Sequence, residues 1–309
     1  MLKDKPIIFQ LFTLVFLFLF SLLVVQTISF FIAIPLFNIN LFTTPEIIYS
    51  FDKEGVINLN RFIQVLTFIF AFILFSLLFT KAISDNTFEF LKLNKIPNIV
   101  SIIIVSLIII SYSPLVDWLG IINSKMHFPK YLIWVEKWMR DMEISNGNIS
   151  RALLSGNTIY YLMLNLFIIA VLPAIGEELL FRGILQNRMI KITDNVHWGI
   201  FITGFIFSAF HFQFFGFIPR LLLGVVFGYI FYWSNSLILP MIAHFLNNGI
   251  AVVVVYFYGT ENSFIDIQNN NVDISYVQVI LSAISVFVLL FLLYNNEKDG
   301  MRSLKEKFS

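Results

Sequence analysis

The chain contains no cysteine. That excludes a disulfide framework, a thiolate metal site and a cysteine nucleophile, so any bound metal would need His, Asp or Glu ligands. Charge is scarce as well: Asp, Glu, Lys and Arg make up 13% of the 309 residues, and 20 basic against 19 acidic side chains leave a net charge of +1. So small a total gives a nucleic-acid partner no electrostatic footing. Only the distribution of charge along the chain carries information. No Gly/Ser- or Pro-rich linker divides the sequence, which is therefore read as one domain.

What the chain has instead is apolar surface. Hydrophobic residues make up 58%, there are 37 phenylalanines, and mean hydropathy is +0.85. No water-soluble domain could bury that much, so the protein is expected to be integral to a membrane and multi-pass. Eight apolar segments are visible, at 7–36, 62–80, 98–118, 157–176, 197–217, 218–233, 237–258 and 275–294, most near the ~20 residues a helical span needs. The expected fold is all-α, a transmembrane helical bundle of about eight spans. The first run, from Ile7 to beyond Val25, is longer than a signal-peptide core and is read as a retained span.

Lys and Arg set the expected orientation. With the N-terminus cytoplasmic, the inner segments hold Lys3 and Lys5, then Lys81, Lys92 and Lys95, then Arg188 and Lys191, and finally Lys298, Arg302, Lys305 and Lys307. The outer loop 259–274 has no Lys or Arg and carries Glu261, Asp266 and Asp273. Both termini are thus expected in the cytoplasm, with the plasma (inner) membrane as the location. The outer loop 119–156 departs from the pattern, with Lys125, Lys130, Lys137, Arg140 and Arg151 beside several acids. Within it Ile133, Trp134 and Trp138 alternate with Glu136, Lys137, Arg140 and Asp141, so an amphipathic helix lying in the headgroup layer is expected near 128–145. Gln26 and Gln64 read as helix-to-helix hydrogen bonds, Ser113-Pro114 as a kink or span end, and His127 and His197 as ordinary loop histidines. By region, 1–155 holds the N-terminal spans and the interfacial segment, 156–258 the polar core, and 259–309 the last span and the tail.

Spans four to seven place polar groups at i, i+4 spacing on single helical faces: Glu178 and Arg182, Phe207 and His211, His244 and Asn248. An ionisable group within a bilayer costs at least a few kcal/mol and marks a candidate functional site. Glu178 precedes Arg182 in the order that favours a helical ion pair and reads as structural. Glu177 points ~100° away with no local cation, which leaves it free to act as a general base. The turn Thr193-Asp194-Asn195 is equally far from Glu177 and His211, so two antiparallel helices joined there bring both to one depth. His244 and Asn248, counted from the turn Ser234-Asn235-Ser236, reach that depth as well. Three chemistries fit one carboxylate, two imidazoles and a carboxamide: hydrolysis by an activated water, a His/His/Glu metal site, or a proton or ion path.

Glu177-Glu178-x-x-x-Arg182, Phe207-x-x-x-His211 and His244-x-x-x-Asn248, in this order on successive helices, resemble the three motifs of the CPBP (Abi) family, which includes the CAAX prenyl protease 2 and bacteriocin-processing membrane proteins. The similarity covers about 156–258. It implies an intramembrane endopeptidase acting on a membrane-associated or prenylated protein or peptide. Carried over by motif, Glu177 would activate water with His211, His244 and Asn248 would hold the oxyanion, and Glu178, Arg182 and Phe207 would support the site. The family is often labelled metalloprotease. The reading preferred here needs no metal or other cofactor, while a divalent metal such as zinc would be held by Glu177, His211 and His244. A non-catalytic membrane immunity or binding protein directed at bacteriocin-type toxins is the alternative. A transporter ranks last, because the two halves show no matching pair of interrupted helices.

Overall fold

The computed structural model describes residues 2–37, 54–259 and 275–308, with side chains as far as Lys298. The expected acidic loop 259–274 and the side chains of Arg302, Lys305 and Lys307 therefore lie outside the described residues, Gly259 excepted. Among the described residues the chain is helical, with no strand. In order, the helices are α1 (Ile7–Phe37), α2 (Glu54–Ile83), the short α3 (Thr87–Phe90), α4 (Ile99–Ser111), α5 (Ser113–Ser124) and α6 (Ile133–Leu154). Then follow α7 (Ile159–Thr193), α8 (Val196–Phe210), α9 (Phe217–Ser234), α10 (Ile238–Tyr258) and α11 (Tyr276–Phe308).

Each of the eight expected apolar segments is helical. Among the described residues six helices are long and apolar enough to cross a membrane, and the pair α4 and α5, bent by 42°, would make a seventh span. The bend falls at Ser113-Pro114, where the proline interrupts the ladder. The eighth, α8, is 15 residues long, or ~22 Å, short of a full hydrocarbon core. It ends earlier than expected because Phe212 takes up the left-handed conformation at φ 52°, which stops the helix just past His211. Long apolar side chains such as Phe12, Phe16 and Leu23 on α1 and Phe287 and Phe291 on α11 face outward, as a lipid-solvated bundle requires. The chain is thus a multi-pass integral membrane protein.

Polar residues sit where helices begin. Asn98, Thr158 and Asn195 each accept a hydrogen bond from a backbone N–H of the first turn of α4, α7 and α8. Asp194 and Asn235 supply the left-handed turns that join α7 to α8 and α9 to α10. α8 and α9 approach backbone to backbone, since a Cβ on Gly224 would lie 3.0 Å from the Gly204 Cα.

The basic segments gather at one end of the bundle. Lys3 pairs with Asp85, the Leu237 amide bonds the Lys92 carbonyl, Lys95 reaches the Ser234 carbonyl and Glu297, and Arg188 stacks on Phe90. This juxtaposition is the one the Lys/Arg pattern anticipates. Gln26 donates to Thr67 across α1 and α2, as expected of a helix-to-helix bond. Gln64 differs: its side-chain oxygen is buried without a hydrogen-bond partner.

The amphipathic segment is a helix, but it runs from Ile133 to Leu154, further than 128–145. Its second half continues because Gly147 is buried and Asn146 donates to the Phe212 carbonyl. Ile133, Trp134 and Trp138 are exposed. On the inner side, Glu136 accepts from the Phe128 amide and pairs with Arg140 and His127. These bonds hold its carboxyl down at about 2, the backbone amide being the largest contributor.

Candidate active site

The site is built on α7, whose regular ladder is widened twice into π-helical turns, at Leu166–Val171 and Leu179–Gln186. Such turns recur at functional sites because they re-aim side chains and free backbone groups. Between them lie Pro173, Glu177 and Glu178. In an α-helical ladder the Ile169 carbonyl would receive the N–H of residue 173, but that residue is proline. The Asn248 amide, on α10, donates to this carbonyl at 2.9 Å.

Glu178 and Arg182 form the pair expected from sequence, 2.8 Å apart and fully buried. The guanidinium also donates to the Gly224 carbonyl at 3.2 Å and lies over the rings of Phe207 and Phe227, at 4.4 and 5.3 Å. The oxygen of Glu178 that binds Arg182 binds His244 Nδ1 as well, at 2.9 Å. Sequence reasoning missed this contact, because nothing in i, i+4 spacing links α7 to α10.

Glu177 stands apart. Its Oε2 has no hydrogen bond and faces His211 Nε2 at 3.8 Å and His244 Nε2 at 4.0 Å. Glu177, His211 and His244 are thus brought together, as the common depth counted from the turns 193–195 and 234–236 anticipates. Among the described residues Glu177 makes no ion pair with an arginine or lysine, although the charges of Arg182 and Arg220 reach it. Arg182 is packed beside the same site by its pair with Glu178, and Arg220 comes from α9, which sequence spacing could not relate to Glu177.

Asn248 is one turn beyond His244. Its oxygen accepts from Asn247, whose own oxygen contacts the Tyr112 hydroxyl. One amide hydrogen of Asn248 is committed to Ile169. Phe207 packs between Arg182 and His211, its ring centroid 4.9 Å from the imidazole, and its carbonyl lies 2.8 Å from His211 Nδ1.

Partners fix the protonation pattern of both imidazoles. A carboxylate paired with arginine and a backbone carbonyl can only accept, so Nδ1 of His244 and Nδ1 of His211 are the donors. Each ring, when neutral, therefore turns the lone pair of Nε2 toward Glu177. With Nδ1 donating to Glu178, His244 can donate from Nε2 only as an imidazolium. In exposure the residues divide: the Glu178 and Arg182 side chains are sealed at 0%, while His211 retains 27%.

Glu177, His211 and His244 are the residues that would hold a metal ion. A tetrahedral zinc with bonds of ~2.0–2.1 Å places its donors ~3.4 Å apart, closer than either distance from Glu177 Oε2 to the two imidazoles. Among the described residues no three His, Cys, Asp or Glu side chains are grouped to hold a metal ion.

Comparison with known proteins bears on the same helices. The family model of type II CAAX prenyl endopeptidase Rce1-like proteins matches residues 159–250. This segment is similar to the Rce1-like proteins. It contains α7 to α10 almost entirely, with all three motifs, so the resemblance read from the motifs holds. Outside it, α1 to α6 and α11 supply further helices around the Rce1-like segment. A relative from Bacillus subtilis (strain 168), the uncharacterized protein YpbD, is 28% identical over 127 residues, which is 40% of this chain and 60% of that protein. The match therefore spans less than two thirds of the relative's length. No solved structure matches the chain.

The turn that follows His211 is covered by α6. Trp138 packs on Phe214 with ring centroids 5.2 Å apart, Arg140 lies 4.5 Å over Phe215, and Glu143 accepts from the Phe215 amide at 3.3 Å. From α5, Asn123 bonds the Phe214 carbonyl and the Ile218 amide. These contacts were not visible in the sequence, where α6 reads only as an interfacial anchor. His127 and His197 take no part in the site: His127 pairs with Glu136, and His197 with the Tyr229 hydroxyl at 2.6 Å.

Proposed function

We propose that the protein is an intramembrane endopeptidase of the CAAX-protease type, hydrolysing a peptide bond of a membrane-associated substrate with a water activated by Glu177. The observation that carries this reading is the Glu177 carboxylate, unbonded at Oε2 and facing two imidazole nitrogens inside an Rce1-like segment. A buried acceptor with no donor is the place for a reacting water.

In the proposed reaction Glu177 takes a proton from the water as its oxygen bonds the scissile carbonyl carbon. His211 Nε2 accepts the water's second hydrogen and orients it. The tetrahedral oxyanion accepts from His244 Nε2–H, with the ring in its imidazolium form, and from the second amide hydrogen of Asn248. When the carbon–nitrogen bond breaks, Glu177 returns its proton to the leaving nitrogen. The step needs no metal or other cofactor. Arg182 and Phe207 act indirectly, by holding Glu178 and His211. Both termini are assigned to the cytoplasm, in the plasma membrane, and α6 to the opposite headgroup layer.

The test is cleavage of a fluorogenic peptide library by the protein purified in detergent, compared with Glu177→Gln. Loss of a general base costs about 10²–10⁴-fold, so kcat/KM should fall in that range with the fold intact. Equal activity in the variant refutes the assignment. Loss of activity on chelation, restored specifically by zinc, refutes the metal-free step. A protein that protects cells from a toxin equally well with Glu177→Gln and without cleavage is the non-catalytic alternative.

A further inference from the structure

Among the arginines whose side chains are described, Arg188 is the one that makes neither a hydrogen bond nor an ion pair, although it is only 6% exposed. Its guanidinium lies 5.0 Å over the Phe90 ring, and its Nε is buried without an acceptor. Each of the others is engaged: Arg182 with Glu178, Arg140 with Glu136, Arg220 with Gln213, Arg151 with Asn148, and Arg61 with the carbonyls of Leu153 and Ser155.

Packing holds this cation in place. Asn86 caps α3 by accepting from the Glu89 amide, and Leu91 just beyond is sealed against Gly183, where a Cβ would stand 2.7 Å from the leucine Cδ2. α3 is thereby pressed on α7, and Phe90 roofs the guanidinium. No acid of the neighbouring segments neutralises it. Asp85 pairs with Lys3, Glu89 accepts from the Asn86 side chain, and Asp194, in the turn after α7, is in no ion pair within 4.0 Å. Three residues on, and so on the same face of α7, stands a second cation, the exposed Lys191. A desolvated charge without a counter-charge is strongly destabilising, so the site is incomplete without an anion.

The position of Arg188 gives the class of that anion. It belongs to the span-length α7 and precedes the helix end at Thr193 by ~8 Å, at the end of the bundle where the basic segments gather. Phe88, Ile192 and Trp198 are exposed at this end, the apolar and aromatic surface expected between hydrocarbon and headgroups. A guanidinium at that level meets lipid phosphate, which its planar fork takes two bonds at a time. Along α7 the group stands ~16 Å from Glu177, so this anion is not at the scissile bond.

We propose that Arg188, with Lys191, is a binding site for the headgroup phosphate of an anionic phospholipid in the leaflet at this end of the bundle. The inference goes beyond the peptidase reading and does not depend on it. Bound phosphate supplies the missing counter-charge and clamps α3 to the end of the helix that carries Glu177 and Glu178. A choline headgroup serves less well, because its own ammonium competes for the phosphate.

The experiment uses the full-length protein in nonionic detergent, titrated with phosphatidylglycerol, with phosphatidylcholine of the same acyl chains, or with inorganic phosphate. Wild type, Arg188→Met and Arg188→Lys are compared by lipid retained in native mass spectrometry and by the midpoint of thermal unfolding. Wild type should bind phosphatidylglycerol about tenfold to a hundredfold more tightly than phosphatidylcholine, the range of two charge-assisted bonds, and should unfold at a higher temperature once it is bound. Arg188→Met should lose about tenfold of that preference, and Arg188→Lys should keep part of it. The order of stability should also invert. Without anionic lipid, Arg188→Met should unfold at or above the wild-type temperature, since it removes an unpaired buried charge, and with saturating phosphatidylglycerol it should unfold below. A purely structural role predicts a loss in both conditions, and that result overturns the proposal. Equal retention of the two lipids by wild type also overturns it and needs no variant, so the test stands even where Arg188→Met fails to fold. Stabilisation of wild type by inorganic phosphate as strong as by phosphatidylglycerol at the same concentration overturns the lipid source and assigns the site to a soluble anion.

Discussion

Arg182→Met isolates what the buried ion pair contributes. The side chains of Arg182 and Glu178 are 0% exposed and lie 2.8 Å apart, and the same Glu178 oxygen binds His244 at 2.9 Å. Methionine keeps most of the volume between Phe207 and Phe227 but withdraws the charge and the bond to the Gly224 carbonyl. It leaves a carboxylate with one histidine donor in place of a histidine and a guanidinium. Breaking a buried pair on one side typically costs about 3–5 kcal/mol, most of it the penalty of an uncompensated charge. Removing both charges together, with Glu178→Gln and Arg182→Met, leaves only missing hydrogen bonds, at about 1 kcal/mol each. The double variant should therefore be more stable than Arg182→Met alone by about 2 kcal/mol. The measurement is reversible unfolding in mixed detergent micelles across the double-mutant cycle. Strict additivity, or a loss below about 1 kcal/mol in the single variant, would show that Glu178 finds other partners and that Arg182 does not hold it.

The bond from Asn248 to Ile169 predicts coupling to Pro173. Asn248→Ala should cost about 1–3 kcal/mol where Pro173 leaves the Ile169 carbonyl without its ladder partner, and clearly less in a Pro173→Ala background that can restore the N–H. Equal costs in the two backgrounds, by the same unfolding measurement, would disprove the account. For α6, the pKa of Glu136, lowered from 4.5 to about 2, gives a pH window. A depressed carboxyl stabilises the fold above its unfolded value and loses that contribution as pH falls through the folded one. The fluorescence of Trp134 and Trp138 should thus change between about pH 4.5 and 2, and Glu136→Gln should abolish the transition; an unchanged curve in that variant would count against the contact.

Much of the fold is local chemistry, and local chemistry is legible. Apolar runs of span length are helices here because a bilayer requires every backbone group to be bonded within its own segment. The turns 193–195 and 234–236 were legible as well, and the chain turns there through left-handed Asp194 and Asn235. The pairing of Glu178 with Arg182 is also local, since four residues make one helical turn. Boundaries were less legible where packing decides them. α8 stops early at a strained Phe212, and α6 runs on to Leu154 because it rests on the turn 212–216. Neither cause lies in the segment's own pattern.

By itself the sequence determined the membrane setting, the helical class, the order of the three motifs and the pairing of Glu178 with Arg182. These depend on hydropathy and on i, i+4 spacing, which act over a few residues. Tertiary structure alone decided that Glu178 binds His244 and thereby sets its donor, that Asn248 bonds the Ile169 carbonyl, and that Arg182 bonds the Gly224 carbonyl. Each of those contacts joins residues tens of positions apart, and only the packing of α7 against α8, α9 and α10 brings their atoms within hydrogen-bonding or electrostatic reach.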